Sequence, residues 1–152
     1  MIDAKLMAQE LRRDEGVRLT VYDDATGDVL KPGMTLKGHP TIGVGRALDV
    51  RGITPVEADY LLYQDIAAIQ LGLSQRYTWF SGLDDVRQRV LVNMAFNLGL
   101  DGISYWRRFL ECLAVGAWDA AAGEMLTSKW YGQVKVRAVR LITAMRTGVM
   151  EQ

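Results

Sequence analysis

Four carboxylates stand close together near the N-terminus, Asp14, Glu15, Asp23 and Asp24, in "RRDEGVRLTVYDD" (residues 12–24). Glu15 precedes a glycine, and Asp24 follows nine residues later beside Asp23. A glutamate and an aspartate flanking a cleft are what glycoside hydrolysis requires: one carboxylic acid protonates the leaving oxygen, and the other carboxylate activates water or attacks carbon. The acid must keep its proton near neutral pH. A carboxyl beside the unpaired carbonyls of a helix C-terminus keeps it more readily, and partial burial acts in the same direction. Taken alone the signal is weak, because a glutamate before a helix-ending glycine is ordinarily a surface residue. Side chains alternate along a strand, so only one of Asp23 and Asp24 can face a cleft.

Those residues need elements to position them. Residues 2–14 fit a helix, with Ile2, Leu6, Met7 and Leu11 on roughly one face, and Gly16 suits the position after its end. From 17 to 48 the pattern changes. "VRLTVY" alternates, "DDATGD", "KPGM" and "KGHP" are turn stretches, and "TIGVG" is short and β-prone, so a small irregular antiparallel sheet is expected. Thr54, Pro55 and Glu57 match the N-cap, first position and capping-box glutamate of a long helix over 55–72. Further helices start near Asp84 and end at Gly99, then follow over "SYWRRFLECLAVG", "AWDAAAGEMLTSKW" and "KVRAVRLITAMRTG". The fold class is α+β: one domain over 1–152, with a helix (1–14) packing on the C-terminal lobe, a β lobe (16–53), a linking helix (54–73), a helical lobe (74–152), and a cleft between lobes.

Composition removes several classes. The apolar share is 49 %, ordinary for a globular protein, and no apolar run reaches a membrane span. The N-terminal stretch is amphipathic rather than signal-like. The expectation is therefore a protein made and folded in a cytoplasm. One histidine, His39, and one cysteine, Cys112, are too few for a zinc site built from those ligands. Cys112 sits in a helical pattern and reads as core packing. Net charge is zero but uneven: residues 126–152 hold five Lys/Arg and one Glu. That basic segment reads as a solvated helix face or, functionally, as weak electrostatic attraction to an anionic polymer or envelope surface.

"EG" with "RL", "Y-x-D" at Tyr22–Asp24 and "TIGVG" at 41–45 resemble the catalytic region of the phage-type lysozymes, glycoside hydrolase family 24. "VLVNMAFNLG" (90–99), "WDAAAGEML" (118–126), "SKWYGQ" (128–133) and "RAVRLITAMRTG" (137–148) resemble successive segments of their helical lobe. The resemblance implies a lysozyme-like fold and a Glu–Asp–Thr triad on Glu15, Asp24 and Thr41. Glu15 would be the general acid, Asp24 would orient the attacking water or stabilise the oxocarbenium-like state, and Thr41 would help to place that water. The "Y-x-D" spacing favours Asp24 over Asp23. Arg137 matches a family arginine that reaches the catalytic glutamate. Phe96 and Asn97 match a stretch lining the cleft floor, with a plain core role equally open to Phe96. The sequence departs from the family in two places: an insertion over roughly 28–39, and Arg46 where the family's "TIGxGH" has histidine, so that any ion pair made there must be different or absent.

The resemblance implies a muramidase that cleaves the β-1,4 bond between N-acetylmuramic acid and N-acetylglucosamine, as an endolysin or prophage lysozyme. It implies a monomer acting on peptidoglycan strands, with no nucleic acid partner and no metal or other cofactor, released from the host cytoplasm with the help of another protein. Two rivals stand. A lytic transglycosylase would keep the glutamate and make an anhydro product, but has no water for Asp24 and Thr41 to place. A non-catalytic peptidoglycan-binding or virion module would not need the triad.

Overall fold

A computed structural model describes residues 2–150. Among them are seven α-helices and one three-stranded antiparallel sheet, the α+β composition of a lysozyme-like fold. Contacts divide the chain into two compact units, the first ending at Asp59 and the second beginning at Tyr60.

In the first unit, α1 (Ala4–Glu15) is capped by Asp3, whose carboxylate accepts from the main-chain N–H groups of Lys5 and Leu6 at 2.9 and 3.1 Å. Gly16 closes the helix at φ 72°, a conformation open to glycine at little cost, and its N–H donates to the Arg12 carbonyl. The helix therefore reaches Glu15, one residue past the expected end. Strand β1 (Arg18–Asp23) pairs with β2 (Pro40–Gly43), Tyr22 opposite Thr41 and Asp23 opposite Pro40, and β2 pairs with β3 (Arg46–Ala47). The inserted residues fold back on β1: Val29 bridges Tyr22, and the N–H of Leu30 donates to the Val21 carbonyl at 2.9 Å. A short helix, α2 (Leu48–Arg51), follows β3.

The only fully buried side chains among residues 2–59 are Asp23 and Thr41. This unit is held by hydrogen bonds and ion pairs more than by an apolar core. Arg46 shows how. Its guanidinium grips the Glu57 carboxylate with both terminal nitrogens at 2.8 Å and also donates to the Gly52 carbonyl at 3.1 Å. This pair stands where the family's histidine is absent. Glu57 completes the capping box of α3 (Pro55–Arg76), accepting from the Thr54 N–H at 2.8 Å while its own N–H donates to the Thr54 hydroxyl at 3.3 Å.

The Thr54 N–H, then Arg46, hold the Glu57 carboxyl down at about 2, against 4.5 when free. A depressed folded value means that the stabilisation is complete above 4.5 and is lost as pH falls towards 2. Glu57→Gln should accordingly melt below the wild type at pH 7, and calorimetry should find the gap closing between pH 4.5 and 2. A gap constant over that range would show that the charge does not hold this helix start.

In the second unit, α4 (Asp85–Ser104), α5 (Arg107–Ala114), α6 (Trp118–Leu126) and α7 (Lys129–Thr147) enclose an apolar core. Met94, Phe109, Met125, Leu141 and Met145 are essentially fully buried in it. Each such side chain contributes on the order of 1.5–3 kcal/mol by leaving water. The first helical segment of α4 ends where expected, at Gly99, whose φ 76° and ψ 160° are not helical, and a second segment continues to Ser104. Arg87, 8 % exposed, ties α4 to the end of α7 by donating to the carbonyls of Met145 and Arg146 at 3.0 and 3.1 Å. Cys112 is half-buried against the core. No helix among the described residues is long and apolar enough to cross a membrane.

Candidate active site

Glu15, Asp24 and Thr41 all belong to the first unit. Glu15 is exposed at the last position of α1. Its Oε2 faces the β2–β3 turn, where a Cβ added to Gly45 would stand 3.7 Å from it, so the glycine leaves room on that side of the carboxylate.

The two aspartates separate. Asp23, the last residue of β1, is 2 % exposed. Its carboxylate accepts from the main-chain N–H groups of Lys37 at 2.7 Å, Gly38 at 3.0 Å and Ala25 at 3.0 Å. The Lys37 N–H, opposed by burial and helped by the other amides, keeps this carboxyl below the usual aspartate value. Asp23 thus anchors the inserted loop. Asp24 is exposed in the turn, and its Oδ1 accepts from the His39 N–H at 2.7 Å. Gly38 makes this approach feasible: a Cβ there would lie 2.8 Å from Ala25 and would collide with the Asp24 carboxylate.

Thr41, 3 % exposed, donates its hydroxyl to the His39 carbonyl at 3.2 Å. The same carbonyl accepts from the Asp24 N–H at 3.1 Å. The main chain of one residue, His39, therefore carries both Asp24 and Thr41. On the side-chain end, His39 Nδ1 lies 2.8 Å from Asp49 Oδ2. Sequence reasoning passed over His39 except as a metal ligand, and weighed Asp23 only as a rival to Asp24. The turn stretches after β1 were the available signal, since a buried carboxylate at a strand end is a ready acceptor for the amides of a loop that must fold back.

The remaining candidates lie in the second unit. The guanidinium of Arg137 donates to Asn93 Oδ1 at 2.8 Å and to the Asn93 carbonyl at 3.1 Å, which fixes it on α4. Phe96 is 45 % exposed, and with Arg137, Asn93 and Val92 it lines a cavity of about 560 Å³. Asn97 faces a different neighbour, accepting from the Trp130 indole at 3.1 Å. Trp130 lines a second cavity of about 570 Å³ with Trp106, Tyr105 and Lys129. Among the described residues no three or more His, Cys, Asp or Glu side chains gather as a metal site would need.

The helices and the small antiparallel sheet are the α+β composition of the lysozyme-like class. The sequence profile described as Phage lysozyme matches residues 12–140, and the chain belongs to that family of glycoside hydrolases. It is 30 % identical to the Pre-baseplate central spike protein Gp5 of Enterobacteria phage T4, over 95 % of this chain and 28 % of the spike protein. The chain thus spans little more than a quarter of that relative. It is 31 % identical to Probable T4-type lysozyme 2 of Dictyostelium discoideum, over 93 % of this chain and 94 % of that protein. For Probable T4-type lysozyme 1 of the same organism the figures are 25 %, 92 % and 93 %.

Proposed function

We propose that the chain hydrolyses the β-1,4 bond between N-acetylmuramic acid and N-acetylglucosamine in peptidoglycan, as an endolysin in host-cell lysis. The observation that carries this reading is the gathering of Glu15, Asp24 and Thr41 in one small unit, two of them held by the His39 main chain. Glu15 gives its proton to the leaving glycosidic oxygen. The Asp24 carboxylate stabilises the oxocarbenium-like carbon or takes a proton from the water that attacks it. The Thr41 hydroxyl spends its hydrogen on the His39 carbonyl, so its oxygen is left to accept from that water. Phe96 and Arg137 offer an aromatic face and a cation to the glycan. The protein acts as a monomer, is made in the host cytoplasm and reaches the wall with the help of another protein.

Mass spectrometry of muropeptides after digestion of sacculi tests the reaction. Reducing muramic ends support hydrolysis. Anhydro ends would make the chain a lytic transglycosylase. The likeness to a central spike protein favours a second reading, a module of a virion, and unchanged sacculi would support its non-catalytic form.

Lys129, Lys135 and Arg140 are exposed on α7, whereas Arg146 is paired with Asp119 at 3.2 Å. We infer that these cations concentrate the enzyme on anionic wall polymer. Exposed charges farther apart than about 8 Å are screened at physiological salt. Sedimentation with sacculi should then weaken steeply as salt rises, while turnover of small soluble glycans stays nearly constant. Lys135→Glu with Arg140→Glu should reproduce the loss at low salt, and a flat binding curve would leave α7 as a solvated face.

A further inference from the structure

The geometry points to His39 as a positioning residue: its ring, clasped to Asp49, fixes the main-chain N–H and carbonyl that hold Asp24 and Thr41. The inference rests on the assignment of those two residues to the reaction. His39 stands just before β2 and Asp49 lies in the first turn of α2, so the 2.8 Å contact ties together the two ends of the β2–β3 hairpin. Inside that clasp lie Thr41 and the Gly45 turn that the Glu15 carboxylate faces. Residues 31–37, which lead into His39, are all exposed and offer no apolar anchor of their own. What fixes the His39 main chain is therefore the Asp23 carboxylate's hold on the Lys37 and Gly38 N–H groups just before it, the hydrogen bonds to Asp24 and Thr41, and the ring's hold on α2.

The charges facing the ring are Asp49 of α2 and, from the end of β1, Asp24 and Asp23. The hydrogen bond to Asp49 first, then the attraction of these carboxylates, raises the imidazole above its ordinary value. A raised folded value means that the clasp is at full strength below 6.5 and weakens as pH rises through the raised value. Both partners are about half exposed, at 53 % and 46 %. Pairs so exposed add little to global stability. The effect is therefore local, on the His39 main chain next to the reacting groups.

The test measures amide exchange at the His39 N–H by NMR, together with kcat and KM on soluble peptidoglycan fragments from pH 5 to 9. His39→Ala and Asp49→Ala should each speed that exchange by about fivefold or more with little change in melting temperature. Each should lower kcat by roughly 5–20-fold at nearly constant KM, and the double variant should be no worse than either single one, because both break one contact. His39→Gln can still donate to Asp49, so it should recover most of kcat while losing the alkaline decline that follows the imidazole titration. Unchanged exchange at the His39 amide in both alanine variants, or losses that add, would overturn the inference. A wild type inactive on peptidoglycan would instead sink the proposed function, and the exchange experiment would still decide whether the clasp exists.

Discussion

Glu15→Gln is expected to lower turnover on purified sacculi by at least ~10²-fold, the scale of a positioned acid catalyst. Glutamine preserves the size and polarity of the side chain but has no proton to give to a leaving oxygen. The fold should tolerate the change. Glu15 is exposed at the end of a helix that buries none of its own residues, and the helix is closed by Gly16 rather than by the glutamate. Melting temperature should hold or rise, since active-site carboxylates commonly cost stability. The experiment needs both readouts: release of reducing muramic ends, and a thermal melt. Near-wild-type release by a folded Glu15→Gln protein would remove the general acid and with it the hydrolytic mechanism.

How far the sequence carries this picture depends on the kind of force at each place. Local hydrogen-bonding chemistry was legible. Gly16 after a helix, and Thr54–Pro55 with Glu57, are short-range signals, and each forms the cap expected of it. Hydrophobic periodicity found the helices of the second unit, because their buried faces repeat with the helical period. The breaks expected at Gly99 and before the last helix fall on residues with non-helical backbone, Gly99 at φ 76° and Lys135 at φ 37°. Periodicity misjudged "AWDAAAGEMLTSKW", read as one helix, because α6 ends at Leu126 and Ser128 caps a new helical stretch from Lys129. The first unit was least legible, because contacts between residues far apart in sequence organise it. Asp23 meets Lys37 and Gly38 fourteen and fifteen residues away, and Arg46 finds Glu57 eleven residues on. No periodic pattern announces such pairs. The family resemblance named Glu15, Asp24 and Thr41, but it was silent on the inserted loop, and this loop supplies the His39 peptide on which two of them rest.

The adjacent aspartates should fail in different ways. Asp24→Asn removes the charge but leaves an oxygen to accept from the His39 N–H, so the turn should persist while turnover falls by roughly 10²-fold, as expected for loss of a carboxylate in a glycosidase pair. Asp23→Asn attacks the scaffold instead. The buried carboxylate uses both oxygens, Oδ1 for Ala25 and Gly38 and Oδ2 for Lys37. An amide has one acceptor oxygen, so its NH₂ group would face a main-chain N–H and leave buried donors without partners. Among residues 2–59 no apolar side chain is fully buried to absorb that loss. The Lys37 and Gly38 amides should therefore exchange at least about tenfold faster in Asp23→Asn and stay protected in Asp24→Asn. Activity alone cannot separate the two variants, because a released loop also frees the His39 peptide and so misplaces Asp24. Exchange at residues 37 and 38, measured beside turnover, does separate them. Loss of loop protection in Asp24→Asn, or full protection with lost turnover in Asp23→Asn, would exchange the two roles and move the reacting carboxylate one residue towards β1.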